Sequence, residues 1–216
     1  TTLLFAYFGL HYISVLCDEG RSMLMELPEQ IESERIILKY SDPTFELAKR
    51  LFEIVEKSRE TLREWLPWVD KVNSIEDEFT GFLMHVQKKR KEKTGFGYVI
   101  FHKETDEILG CVDLIDINDT NKTAEIGFWL SNDAVGHGYM KEAVLALESE
   151  AFKAGINRIA IRNDVENVRS ANVAKKANYV LEAVIRQDCW DDYHKSFRDT
   201  NVWSKLFSEW KTQQRG

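Results

Sequence analysis

The chain has 216 residues, 44% of them hydrophobic and 30% charged, with a formal net charge of -7. That length supports one domain with a sizeable core. The acidic balance argues against direct nucleic-acid binding and against an anionic membrane as partner.

Cys17, Cys111 and Cys189 are odd in number and widely spaced, and no CxxC is present. The pattern suggests neither a disulfide framework nor a zinc site, and it fits a reducing, cytoplasmic setting with no bound metal. Residues 3–17 are mostly apolar (LLFAYFGLHYISVLC). This run is short for a membrane span, and it lacks the basic flank and small-residue cleavage site of a signal peptide. Residues 1–24 therefore read as an N-terminal extension outside the domain, with initiation at Met23 or Met25; an extra docking helix is the alternative. Residues 25–216 read as the domain.

Within it, Glu34 to Tyr40 alternates as an opening strand. Ser41 or Asp42 is expected to cap a helix that has Pro43 at its first position and carries Phe45, Ala48, Leu51, Phe52 and Val55. In Leu62 to Asp70, Trp65 and Trp68 flank Pro67. They either line a pocket or pack on the core. Ser74 and Asp77 open a second helix with Ile75, Phe79, Phe82, Leu83 and Val86 on its apolar face. The basic run Lys88 to Lys91 at its end reads as a solvated face that complements the helix dipole.

Three strands follow: Gly97 to Phe101, Ile108 to Ile115 and Thr123 to Leu130. The first two form a hairpin through Glu104–Glu107. Next comes a polar turn with Gly136-x-Gly138, then the helical spacing Met140, Ala143, Val144, Leu147, Ala151. A strand that ends in such a turn and opens a helix is a place for an anion, because unpaired N–H groups of the first helical turn point at it. A phosphorylated ligand is expected there. Arg158 to Arg162 reads as a strand, Asn167 to Ala177 as a helix, Tyr179 to Ile185 as a strand, and Asn201 to Leu206 as the strand that closes the sheet. Hairpins first and alternating helix and strand later indicate a mixed α/β (α+β) sheet with helices on its faces. A dinucleotide-binding fold fails on order, since the glycine turn does not follow a first strand and Lys141 stands where a third glycine should be.

The turn Val135-Gly136-His137-Gly138-Tyr139-Met140 resembles the acetyl-CoA pyrophosphate loop, (Q/R)-x-x-G-x-(G/A), of the GCN5-related N-acetyltransferases (GNAT). Ala124 to Leu130 resembles their central strand. Glu166-Asn167-Val168-Arg169-Ser170 is similar to the E-N-x-x-S signature of the RimJ/RimL-type ribosomal-protein N-terminal acetyltransferases, and Leu62 to Asp70 to the L-R-E-W-L-P-W segment of that branch. The resemblance runs from about Ile31 to Trp210. Val135, Met140 and Ala177-Asn178-Tyr179 depart from it, the last replacing L-G-F.

The resemblance implies a GNAT fold, with a mostly antiparallel central sheet of about six or seven strands flanked by helices. It implies acetyl-CoA as co-substrate, held by the turn residues Val135, Gly136, His137, Gly138, Tyr139 and Met140, by main-chain groups of Phe128, Trp129 and Leu130, and by Asn167. The implied reaction is acetyl transfer to an amine by direct attack in a ternary complex. Glu125, in an apolar strand that would raise its pKa, is the candidate base, directly or through water, with an ion pair to a neighbouring arginine as the structural alternative. Asp113 and Asp116 are weaker candidates. Ser170 is the candidate donor to the thiolate, or else a serine bonded to backbone in the first helical turn. Trp65 and Trp68 would form the acceptor wall. The acceptor is a protein N-terminus, typically ribosomal, or else a small amine such as a polyamine, amino sugar or antibiotic. A low-activity acyl-CoA sensor is a further alternative. A homodimer is expected from family habit alone.

Overall fold

A computed structural model describes residues 26–214. The expectation for residues 1–24 falls outside that range. The strands are β1 (Gln30–Glu32), β2 (Ile36–Tyr40), β3 (Phe96–His102), β4 (Ile108–Asn118), β5 (Thr123–Leu130), β6 (Arg158–Asp164), β7 (Val180–Asp191) and β8 (Ser196–Leu206). The helices are α1 (Phe45–Leu62), α2 (Ile75–Asp77), α3 (Met84–Glu92), α4 (Tyr139–Lys153), α5 (Val168–Lys176) and α6 (Phe207–Gln213). A π-helical segment, Glu78–Leu83, joins α2 to α3.

The strands form one eight-stranded sheet in the order β1-β2-β3-β4-β5-β6-β8-β7. Every neighbouring pair is antiparallel except β5 with β6. The eighth strand, beyond the expected six or seven, is the short β1. β8 does not close the sheet. It lies between β6 and β7, and β7 forms the edge. The sequence misleads here because the internal strand buries polar residues (Arg198, Thr200, Asn201, Ser204, Lys205), while the edge strand exposes Val180, Leu181, Val184 and Ile185.

α1 starts two residues later than expected. Thr44 is its N-cap, with Oγ1 accepting from the Leu47 N–H at 3.2 Å, and Pro43 precedes the cap instead of opening the helix. Ser74 caps α2 as its spacing predicts, accepting from the Asp77 N–H at 3.1 Å.

The sheet divides the core in two. Ala124 and Ile126 of β5 join Met140, Ala143, Val144 and Leu147 of α4 on one face. Trp129 joins Leu51 and Val55 of α1 and Leu83 of the π segment on the other. Strand side chains alternate, so Glu125 and Gly127 share the α1 face with Trp129. Each fully buried aliphatic side chain contributes roughly 1.5–3 kcal/mol, and the two layers together fix β5 in register. Among the described residues, no helix is long and apolar enough to cross a membrane.

Candidate active site

The parallel pairing of β5 with β6 ends at Glu125 opposite Ala160. Beyond it β5 stays paired with β4 as far as Leu130 opposite Gly110, and β6 stays paired with β8 as far as Asp164 opposite Thr200. The two central strands therefore part like a V. A cavity of ≈ 510 Å³ lies in the opening, a size suited to a small-molecule site. Ile126 to Leu130 line one wall and Arg162, Asn163 and Asp164 the other. On its cavity side, the main chain of β5 from Ile126 onward has no strand partner, so an extended ligand can add there like a strand.

The glycine turn closes one end. Gly136 (φ 93°) and Gly138 (φ 83°) sit in the left-handed region, where a side chain would be strained. Among the described residues, nothing accepts from the backbone N–H groups of Gly136, His137, Gly138, Tyr139, Met140 or Lys141. These six donors, at the start of the 15-residue helix α4, are placed so that an anion could be held there. Val135, Gly136, Gly138 and Met140 line the cavity. The His137 and Tyr139 side chains do not; they pack on each other, with ring centroids 5.7 Å apart. Arg35, from the β1–β2 turn, braces the loop. It donates to the His137 carbonyl at 2.9 Å, binds Glu142 through Nε (2.9 Å) and Nη2 (2.8 Å), and lies 4.8 Å from the centre of the Tyr139 ring.

α5 closes another side. Asn167 is its N-cap, with Oδ1 accepting from the Ser170 N–H at 3.0 Å. The cap uses the oxygen and leaves the Asn167 amide nitrogen available to the cavity it lines. Ser170 lines the cavity too, and its hydroxyl bonds no other described residue. Glu166 of the same motif has a structural partner: Arg198, buried, binds Glu166 at 2.6 Å, Asp164 at 2.8 Å and Asp191 at 3.6 Å. This cluster pins the end of β6 to the β7–β8 hairpin.

Glu125 sits at the vertex of the V, at the last paired position, and is not itself on the cavity wall. Burial raises its carboxyl above the ordinary value; Arg162 opposes the rise and Asp116 adds to it. Asp113 is pushed up to about 7, chiefly by burial, and lies opposite Gly127, while Asp116 is exposed. Trp65 lines the cavity, whereas Trp68 lies behind Trp129, with ring centroids 5.9 Å apart, and is off the wall. The tryptophans on the cavity wall are thus Trp65 and Trp129, where Trp65 and Trp68 were expected.

Two residues that sequence reasoning passed over stand at the same place. Arg162, which the sequence reading placed at the end of a strand and gave no role, lines the cavity and pairs with Asp188 of β7 at 2.6 Å. Only the insertion of β8 between β6 and β7 brings that pair together, so no local pattern could signal it.

Residues 36–180 match the model of the acetyltransferase (GNAT) domain. The chain belongs to the GNAT acetyltransferase family. This acetyltransferase is 27% identical over 159 residues to the ribosomal-protein-serine acetyltransferase of Escherichia coli (strain K12), a match covering 73% of this chain and 86% of that protein. Among solved structures, it resembles RimL, a ribosomal L7/L12 alpha-N-protein acetyltransferase in complex with coenzyme A. That match has a TM-score of 0.77 at 25% identity and covers 84% of this chain and 99% of the other. It also resembles MccE, the Microcin C7 self-immunity acetyltransferase in complex with acetyl-CoA and AMP, with a TM-score of 0.74 at 26% identity over 81% of this chain and 93% of that one.

Proposed function

We propose that this acetyltransferase moves an acetyl group from acetyl-CoA to the α-amine of a protein N-terminus, the ribosomal class named for its relatives being the first to try. The observation that carries the reading is the V between β5 and β6, which runs from a ring of free N–H donors at Gly136–Lys141 to a carboxyl at Glu125. The pyrophosphate takes the N–H ring, and the pantetheine arm lies along Phe128, Trp129 and Leu130 with the Asn167 amide beside it. The thioester then reaches the vertex. The amine loses one proton to Glu125 through a water and attacks the thioester carbonyl; as the C–S bond breaks, the Ser170 hydroxyl passes its proton to the departing thiolate and takes the second proton of the amine nitrogen in return.

Two features favour a peptide α-amine. A free α-amine titrates near 7.7–8.0 and a lysine side chain near 10.4, so a modestly basic carboxylate deprotonates the former far more readily at neutral pH. The charged side chains on the cavity wall are Lys141, Arg162, Arg169 and Lys176, against one carboxylate, Asp164, already held by Arg198. Such a wall repels polyamines and aminoglycosides, so the small-amine reading is the weaker one.

The test is acetyl-CoA turnover with hexapeptides carrying free or blocked N-termini, beside spermidine and an aminoglycoside. Mass spectrometry should place the acetyl group on the α-amine. Turnover confined to the small amines or to lysine side chains overturns the peptide reading. Tight coenzyme A binding with no amine acetylated would favour a sensor.

A further inference from the structure

We infer that Arg162 is a specificity residue that binds the first peptide carbonyl of the acceptor, and that Asp188 is the positioning residue that holds it there; the inference rests on the peptide reading above. Residue 162 follows Ala160, the last β6 partner of β5, by two positions, so Arg162 shares the face of Glu125 and looks across the opening of the V toward Gly127. A side chain at Gly127 would meet only Ile115 Cδ1, at 3.6 Å, so the space in front of the guanidinium is open. The Arg162 side chain keeps 38% of its exposure, and among the described residues its one hydrogen-bond partner is Asp188. The remaining N–H donors of this planar group are available to a carbonyl oxygen.

The Asp188 side is specially built. β7 is paired with β8 at Ile185 opposite Thr200 and again at Cys189 opposite Arg198, so β7 carries two extra residues across this interval. Gln187 in the bulge is left-handed (φ 52°), and its N–H donates to Asp199 Oδ1 at 2.8 Å. The bulge turns Asp188 across β8 onto Arg162. Bulges next to active sites characteristically re-aim a side chain in this way. An isolated surface ion pair needs no such bulge.

A carbonyl held beside the amine fixes the lone pair of the amine toward the thioester, which an amine without that carbonyl cannot gain. The experiment compares a serine-initiated hexapeptide with its analogue in which the first amide is an alkene isostere. Both are assayed on the alkaline plateau of the pH–rate profile of each variant, so that a change at Glu125 does not intrude. Arg162→Gln should lower kcat/KM for the peptide about 10- to 100-fold, through kcat as well as KM, and leave the isostere within about twofold. Arg162→Lys should recover part of the loss, and Asp188→Asn should show a smaller loss with the same selectivity. Equal losses on both acceptors, or no loss on the peptide, overturn the inference while the peptide reading stands. A wild-type enzyme that acetylates neither acceptor but does acetylate spermidine overturns both.

Discussion

Glu78 offers a test of the electrostatic reasoning that is separate from activity. It opens the π-helical segment, is 1% exposed, and its Oε2 has no partner among the described residues. Burial alone pushes its pKa up from 4.5 to about 7. The sign follows from linkage. Below 4.5 the carboxyl is protonated in both folded and unfolded chains and costs nothing. As pH rises to about 7 the unfolded chain ionises while the folded chain holds its proton, so stability falls through this window and levels above it. At 1.36 kcal/mol per pH unit the full loss is about 3 kcal/mol, most of it between pH 5 and pH 8. A domain stability of roughly 5–15 kcal/mol makes that a large term. Glu78→Gln keeps the shape and removes the titration. Urea unfolding of both proteins at pH 5 and pH 8 should show the variant losing less stability by about that amount, roughly 1 M in midpoint. Asp113 also titrates near 7 but is present in both proteins and cancels in the comparison. Parallel pH dependences would refute the claim that Glu78 is protonated in the fold at neutral pH.

Four further outcomes are expected. Glu125→Gln should cut kcat at least 100-fold, with the Kd for acetyl-CoA within about twofold, measured by steady-state kinetics and calorimetry. The acidic limb of kcat should lie above the ordinary carboxylate range. Asp116→Asn should move it to lower pH, because it removes a charge that raises Glu125, and Arg162→Gln should move it to higher pH, because it removes one that lowers it. Lys205→Met should cost about 3–5 kcal/mol in chemical unfolding, since Lys205 and Glu148 pair at 2.6 Å with 0% and 2% exposure; adding Glu148→Leu should restore most of the loss. Arg35→Ala should raise the Kd for coenzyme A about tenfold, because the His137 carbonyl and the first turn of α4 lose their brace.

What the sequence made legible was encoded locally. β5 runs from Thr123 to Leu130 as its apolar pattern requires, and the spacing from Met140 to Ala151 places each of those side chains in the core. The E-N-x-x-S motif sits where a cap belongs, with Asn167 closing α5. What stayed hidden depends on neighbours distant in the chain. Trp68 looks equivalent to Trp65 in sequence, but the ring of Trp129 stands in front of it. β8 carries buried polar residues because Arg198 and Lys205 meet their carboxylates inside the fold, and that removes the apolar alternation a central strand normally displays. Arg162 acquires its role only when β7 brings Asp188 to it.

The departures from the family pattern bear on where cofactor affinity resides. Asn178 stands where L-G-F has glycine, and its φ of 60° after the end of α5 is the left-handed position that asparagine tolerates best after glycine. Met140, in place of a small residue, is 4% exposed and fills the α4 core, so its bulk points away from the anion end while its N–H remains there. Val135 brings no polar side chain, and its own N–H is taken by the Asn132 carbonyl at 3.4 Å. Arg35 does not replace the missing polar group, because Glu142 neutralises it; it holds the shape of the loop. On the reading proposed above, the attraction for phosphate falls on main-chain N–H groups, with Lys141, Arg169 and Lys176 on the same cavity wall. Two replacements that look damaging in the motif leave those donors in place. A side chain at Gly138 would shift them, because φ there is 83°, a conformation that strains any residue carrying a Cβ.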